Sequence, residues 1–366
     1  MKLEDFYRGT TVAVTGAAGT VGKSLVTMLL DLGCERVFGL DNNEGDLFYL
    51  SGKLKDEPRF ESFLCDITDI EPLRYFLSGV DFVFHAAAYK NVPVCERSPS
   101  LAVRANILGT ENVITAARHN GVRRVLFTSS DKAVNPTNVM GTTKLMGERL
   151  ITAANSLTKG RGTLYTSTRF GNVAGSRGSV VPVFIQQIAA GGPVTLTDKR
   201  MTRFIMTLEE ATTLVLQSMV MAKGGEAFVT KMPVFKISDL AQVMIEELAP
   251  RFGHKPGAIE IVEIGPRPGE KMYEELITDE EIQRTYEQDQ LLAVLPAFRN
   301  IYNEIDYSEH IARGKQMTHA YNSANEPLAG IEQIRKFVRS LDEIRSIAGT
   351  VGDTADHLAV QKAAFG

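Results

Sequence analysis

Along the first 170 residues, short runs of β-branched and aromatic residues alternate with segments whose apolar positions recur every three or four residues. The runs at 11–15, 36–40, 60–64, 80–84, 125–129 and 164–170 predict strands. The segments at 19–32, 72–77, 100–119 and 140–157 predict helices between them. Strands alternating with helices imply βαβ units and a parallel sheet. The strands are apolar on both sides rather than on alternate positions, which suits a sheet covered on both faces.

Beyond about residue 175 the pattern loosens. Helices are predicted at 180–190, 208–221 and 237–249, short strands at 227–229 and 259–264, and a late helix at 331–341. Gly191-Gly192-Pro193 and Gly265-Pro266-Arg267-Pro268-Gly269 mark loops. The expected layout is a dinucleotide-binding domain over 1–178, with later segments returning to its sheet. A smaller α/β domain for a nucleotide-sugar follows over 179–345, and a flexible tail over 346–366.

Composition narrows the field. The chain has 366 residues, 44% of them hydrophobic, enough for one large α/β domain and a smaller partner. The 40 basic side chains against 44 acidic ones leave a net charge of −4 with no long basic run, so nucleic acid is not an expected partner. No apolar stretch is long enough to span a bilayer and no signal-type segment opens the chain, so membrane insertion is not expected and a cytoplasmic location is. Cys34, Cys65 and Cys95 fit no metal-ligand spacing and read as buried thiols; no metal is expected.

Thr15-Gly16-Ala17-Ala18-Gly19-Thr20-Val21-Gly22 follows the first predicted strand and opens a helix. A glycine-rich turn in that setting lets the backbone approach a pyrophosphate, with the helix N-terminus facing its charge. This gives an α/β, Rossmann-like doubly wound sheet, with Gly16, Ala18, Gly19, Thr20 and Val21 as cofactor contacts. Asp41 closes the second strand 19 residues past Gly22, where a ribose-binding acid belongs. With Asn42 and Asn43 beside it, no cation waits for a 2′-phosphate, so NAD is favoured and NADP is left as the alternative. Asp66 and Ile67 are expected at the adenine edge, and Ala86 and Ala87 where the backbone passes the cofactor. His85 reads as a core histidine, and Asn106 as a residue beneath the active site.

The motifs Thr-Gly-x-x-Gly-x-x-Gly, His-Ala-Ala-Ala-Tyr-Lys at 85–90, Ser-Asp-Lys-Ala-Val-Asn-Pro at 130–136, Arg169-Phe170-Gly171-Asn172-Val173, Ser176-Arg177-Gly178-Ser179-Val180, Met201-Thr202-Arg203-Phe204 and Arg267-Pro268-Gly269-Glu270-Lys271 occur together. In this set the chain resembles the extended short-chain dehydrogenases of bacterial polysaccharide biosynthesis. More narrowly it resembles the C5-inverting UDP-N-acetylglucosamine 4,6-dehydratases, over roughly residues 8–300. It departs from the usual Tyr-x-x-x-Lys pair: Lys144 is present, but the tyrosine position is Met140.

The resemblance implies a redox-neutral reaction with a tightly bound, recycled nicotinamide cofactor and a UDP-sugar substrate. Hydride leaves C4, the C5 proton is removed as the C6 hydroxyl departs, and hydride returns to C6. With no phenol at position 140, Asp131 is expected to take the O4 proton and pass it to the departing hydroxyl. Lys132 is expected to be the C5 base, Lys144 to bind the nicotinamide ribose, and Ser130 to donate to O4. Retaining sugar-nucleotide dehydratases have Glu after this Asp; Lys132 in its place suggests inversion. On the substrate side, Arg203 and Arg267 are expected to grip phosphate, Glu270 the uridine ribose, Asn172 the diphosphate, Lys90 the sugar or diphosphate, and backbone near Val180 and Thr195 the uracil. The family often forms homo-oligomers.

Three other readings remain open at this stage. A 4-epimerase needs only C4 redox and has no use for Asp131-Lys132. A 5,6-dehydratase would stop at an unsaturated sugar. A catalytically silent nucleotide-sugar-binding protein would have no reason to keep Asp131, Lys132 and Lys144 together.

Overall fold

The computed structural model describes residues 2–157, 162–176, 178–265, 269–298, 301 and 305–350. Contacts divide the chain into two compact units. Of the described residues, unit 1 holds those up to 170 together with those in 209–231 and 275–321, and unit 2 holds those in 171–208, 232–274 and 322–350.

Unit 1 is built on a ten-stranded sheet. Its first six strands are β1 (Thr11–Thr15), β2 (Arg36–Asp41), β3 (Phe60–Leu64), β4 (Phe82–His85), β5 (Arg124–Thr128) and β6 (Leu164–Arg169). They lie parallel in the order β3-β2-β1-β4-β5-β6. Ala227–Thr230 extends the parallel set beside β6. Leu291–Val294, Thr285–Gln288 and Lys315–Gln316 then add antiparallel strands at that edge.

Both faces of this sheet are buried, which explains the unbroken apolar runs. Val12, Val14, Phe82, Phe84 and Leu126 point to one side, where Leu25, Leu29, Val215 and Met219 cover them. Ala13, Val83, Val125, Phe127 and Tyr165 point to the other, onto Leu73, Val113, Ala117 and Ile151. Successive residues of a strand alternate faces, and each buried Val, Leu or Phe contributes about 1.5–3 kcal/mol relative to exposure. The fold is the α/β, Rossmann-like doubly wound sheet that the pattern predicts.

Strand order reverses direction between β1 and β4, and open α/β sheets bind ligands at the carboxyl ends of their strands at that switch. The glycine-rich turn, Asp41, His85 and Thr128 all lie at those ends. Two elements beside these strand ends differ from the sequence reading. The helix expected at 100–119 is interrupted: Pro99–Val103 and Gly109–His119 flank one wide π-helical turn, Arg104–Leu108. A helix, Glu44–Lys53, follows Asn43, whose Oδ1 caps it by accepting from the Asp46 N–H at 2.9 Å.

Unit 2 has a three-stranded sheet, Val234–Lys236, Thr202–Met206 and Asn172–Val173, and a pair, Val194–Leu196 with Ile261–Glu263. Helices Val180–Ala189, Ile237–Leu248 and Ile331–Ser340 share its core through Phe184, Ile188, Leu240, Met244, Ile334 and Val338. Among the described residues, no helix is long and apolar enough to cross a membrane, and no group of His, Cys, Asp and Glu is placed to hold a metal ion. All three cysteines are buried and unpaired.

Candidate active site

The turn after β1 is shaped by its own backbone. The N–H groups of Gly16 and Ala17 donate to Leu40 O at 2.8 and 3.2 Å, tying the turn to β2. Gly16 has φ +71°, and a Cβ there would lie 2.6 Å from Ala87 N, so only glycine fits. The helix Thr20–Asp31 begins with Gly19 as N-cap, which has no side chain to cap its first N–H groups. Thr20 and Val21 form its first turn.

Asp41 closes β2 with one carboxylate oxygen accepting from Ala18 N–H and the other from Asn43 N–H, both at 2.9 Å. The neighbouring Asn42 reaches Asp66, Nδ2 to Oδ2 at 3.4 Å. Burial raises the Asp66 carboxyl pKa, but hydrogen bonds from Thr68 and Asn42 outweigh it and hold it below its ordinary value. Ile67 packs its side chain against Gly109, where a Cβ would lie 2.7 Å from its Cδ1. Ala86 N–H donates to Thr15 O, and Ala87 N–H to Thr15 Oγ1. These residues fit a dinucleotide: a close-approach turn, a bare helix N-terminus, and an acid at the end of the second strand.

The turn that carries Asp131 and Lys132 begins where β5 stops. Ser130 caps a single 3₁₀ turn, Asp131–Ala133, whose Asp131 N–H donates to Phe170 O. Asp131 is 4% exposed. Its Oδ1 accepts from Ser130 Oγ at 2.7 Å, and Lys132 Nζ lies 3.1 Å from both carboxylate oxygens. Ser130 therefore spends its hydroxyl proton on Asp131, which departs from the expectation that it donates to a substrate oxygen.

Helix Val139–Ala154 is seated directly on this turn: a Cβ on Gly141 would lie 2.2 Å from Lys132 O. Lys144, one turn on, donates its Nζ to Thr128 O at 2.8 Å and lies over the Phe127 ring. Burial pulls its ammonium pKa down to about 8, and the Glu148 carboxylate opposes that shift. Met140 is 3% exposed and fills an apolar cluster with Cys95 and Ala102.

Asn106 sits in the wide helical turn. Its Oδ1 accepts from Tyr89 N–H, and its Nδ2 donates to Tyr89 O and Thr143 Oγ1 at 3.0 and 2.9 Å. It thereby ties the segment after β4 to the Lys144 helix. His85 is wholly buried. Thr110 Oγ1 donates to Asn106 O, so it accepts from His85 Nε2–H at 3.1 Å, and Nδ1 accepts from Thr15 Oγ1 at 2.7 Å. Burial, with the nearby Lys144 charge, pushes its pKa down to about 3, so the ring is neutral. Lys90 is exposed on the segment after β4.

Unit 2 holds five of the expected substrate residues among those described: Asn172, Val180, Thr195, Arg203 and Glu270. Arg203 donates to Thr202 O, Met272 O and Lys271 O, and pairs with Glu274 at 3.4 Å and Glu270 at 3.5 Å. Its guanidinium is taken up inside the unit, which argues against the expected bidentate grip on phosphate. Asn172 Nδ2 donates to both oxygens of Glu274 and to Phe204 O. Thr195 is held by Gln187, which accepts from its N–H at 3.0 Å and donates to its Oγ1 at 2.7 Å. Val180 opens the helix Val180–Ala189. Arg267 lies outside the described residues.

The family model described as "Polysaccharide biosynthesis protein" matches residues 12–296. The chain belongs to the polysaccharide biosynthesis protein family. It is 44% identical to the uncharacterized membrane protein MJ1061 of Methanocaldococcus jannaschii, over 93% of this chain and 98% of that protein. It is 37% identical to the inverting UDP-N-acetylglucosamine 4,6-dehydratase of Campylobacter jejuni, over 88% and 94%. UDP-glucose 4-epimerase of Rickettsia felis is 33% identical, over 92% and 97%. The solved structure of Pen from Bacillus thuringiensis superposes with a TM-score of 0.83 at 39% identity, over 91% of this chain and 98% of that one.

Sequence reasoning about this family member missed four buried charged residues. Arg169, which closes β6, donates to Glu148 at 2.9 and 2.8 Å and to Glu281 at 2.8 and 2.9 Å. Glu274 collects Asn172 and Arg203. Glu148, on the face of Lys144 one turn later, was detectable as an acid at i+4 from a lysine. Glu274 lies 102 residues from Asn172 and Glu281 lies 112 from Arg169, and no local signal marks those pairings.

Proposed function

We propose that the protein is a nucleotide-sugar 4,6-dehydratase acting on UDP-N-acetylglucosamine with inversion at C5, using NAD held at the β1 turn. The observation that carries this reading is the buried Asp131 carboxylate, gripped by Ser130 and Lys132, in a site where Met140 supplies no phenol. A 4-epimerase has no use for such a pair. The similarity to the Campylobacter jejuni enzyme supports the same substrate.

When bound, the nicotinamide would supply a reversible hydride carrier, taking hydride from C4 and giving it back at C6. The residues handle the protons. Asp131 accepts the O4 proton and becomes neutral. Lys132 then loses the carboxylate that stabilised its ammonium, which lowers its pKa. Its side chain is 35% exposed, so the released proton can pass to water. The neutral amine takes the C5 proton, and Asp131 returns its own proton to the departing C6 oxygen, which leaves as water; hydride then returns to C6 and a proton of solvent origin reaches C5 from the opposite face, leaving Asp131 ionised and Lys132 charged as at the start. Lys144, fixed on Thr128 O, contributes positive charge and orientation at the strand end.

Proton NMR of the protein with UDP-N-acetylglucosamine in D2O, without added cofactor, tests this. A C6 methyl signal with deuterium at C5 is the expected result, and ring couplings report inversion. Asp131→Asn should lose at least ~1,000-fold in turnover, as loss of a general acid–base does, while UDP affinity stays near wild type. A product epimerised at C4 without a methyl group would replace this reading with the epimerase one. No change with NAD and NADP added would remove the substrate.

A further inference from the structure

Glu274 is a buried carboxylate, 4% exposed, placed between two residues that sequence reasoning assigned to the substrate. It is locked in place by its own backbone, since its N–H donates to Ser323 Oγ and its carbonyl accepts from Ser323 N–H. Its oxygens accept from Asn172 Nδ2 at 2.7 and 2.9 Å and from Phe204 N–H at 2.9 Å, with Arg203 Nε at 3.4 Å.

These partners fix the polarity of Asn172. An amide's oxygen and nitrogen are assigned from the hydrogen-bond network. Here the network is one-sided, because a carboxylate and the Phe204 carbonyl only accept. The NH₂ group of Asn172 must face them, and both of its protons are used. The group left to face outward from this half-buried residue is Oδ1, an acceptor. An acceptor cannot bind a fully ionised diphosphate.

We infer that Glu274 is a positioning residue that holds Asn172 with its N–H groups turned inward, so that Asn172 offers an acceptor to a ligand hydroxyl or amide N–H and not a donor to its diphosphate. The inference rests on the nucleotide-sugar reading for the identity of the ligand. It replaces the expected role of Asn172 and adds a residue that the motifs did not single out.

A charge-conserving swap tests it. Asn172→Asp alone sets two carboxylates face to face. Glu274→Gln alone removes the charge that faces Arg203. The double variant N172D/E274Q restores a carboxylate–carboxamide pair of opposite polarity, and position 172 still shows an acceptor. Thermal midpoints without ligand, and calorimetric Kd values for UDP and UDP-N-acetylglucosamine, are measured on the full chain. Both single variants should melt below wild type, and the double variant should melt above Asn172→Asp. Binding of both ligands to the double variant should stay within about tenfold of wild type, a change of ~1.4 kcal/mol. If the double variant regains its midpoint but loses UDP binding by about 100-fold or more, as expected for a carboxylate set against an anion, Asn172 donates to the diphosphate and the inference is overturned. Strictly additive midpoints would remove the positioning role of Glu274. A wild-type chain that binds neither ligand would overturn the nucleotide-sugar reading itself, visible before any variant is made, while the midpoints would still decide the positioning role.

Discussion

At the scale of single residues, the site is governed by who donates to whom. His85 shows it. Thr15 Oγ1 donates a hydrogen bond to Nδ1 and Thr110 Oγ1 accepts one from Nε2–H, so the neutral ring cannot become a cation without breaking the chain. A folded pKa of about 3 against an ordinary 6.5 has a definite sign. Between those values the unfolded chain binds the proton and the folded chain does not. Stability from this group is therefore complete above pH 6.5 and is lost as pH falls, by about 1.4 kcal/mol per pH unit. His85→Asn should be less stable than wild type at pH 7 yet lose less on going from pH 7 to pH 5. Denaturant unfolding at the two pH values measures the difference, and parallel losses would show that His85 protonates freely in the folded protein. The same logic separates Ser130 from its expected role: the adjacency of Ser130, Asp131 and Lys132 was readable in the sequence, but the direction of the Ser130 proton was not. Direction depends on a rotamer, and the turn Asp131–Ala133 sets it.

Elements decide where those residues stand. The strands β1 to β6 were legible because burial on both faces leaves apolar residues at nearly every position. The hairpin Thr285–Gln288 and Leu291–Val294 was not, because its first strand is Thr-Tyr-Glu-Gln and its loop, Asp289-Gln290, carries no glycine. Helix Glu44–Lys53 was hidden differently: Phe48 and Tyr49 are 73% and 72% exposed, so its apolar residues do not trace one face, and only Asn43, Leu47 and Leu50 mark it. In the Lys144 helix the deciding residue is Gly141, whose backbone touches the carbonyl of Lys132 with no room for a methyl group. Gly141→Ala would otherwise favour the helix by about 1 kcal/mol. Here the turn or the helix must shift, and overpacking of this kind costs about 1–3 kcal/mol. The variant should melt below wild type and lose more in turnover than in NAD affinity, because Asp131 and Lys132 move while the β1 turn does not. Equal or higher stability with full activity would mean that the turn yields without disturbing the pair.

At the scale of the whole chain, the question is how a segment that arrives more than 100 residues later is fixed to the sheet that carries the site. Arg169 does this inside unit 1. It ends β6, is 4% exposed, and holds Glu148 of the Lys144 helix on one side and Glu281 on the other, while also donating to Leu276 O at 3.1 Å. Burial alone would raise the Glu281 carboxyl pKa, but Arg169 and then Arg284 reverse that and hold it at about 2. Its contribution is therefore present above pH 4.5 and disappears as pH falls toward 2. A buried pair of this kind adds little net stability against an apolar replacement, because desolvation offsets the attraction. Removing Arg169 is different, since it leaves Glu148 and Glu281 buried and charged, with Arg284 at 3.2 Å the cation that remains beside Glu281. Arg169→Leu should lower the unfolding free energy by about 3–5 kcal/mol. The triple variant E148L/R169M/E281L should recover much of that loss in equilibrium unfolding at pH 7. Yet it should not recover turnover, because Glu148 no longer supports the Lys144 ammonium and Lys144 would titrate lower. A triple variant as unstable as Arg169→Leu would show that the cluster stabilises by its hydrogen bonds to backbone and not merely by avoiding an unpaired charge. The network then acts as a specification of place: it tells the returning segment where to dock, at a cost that apolar packing would not incur.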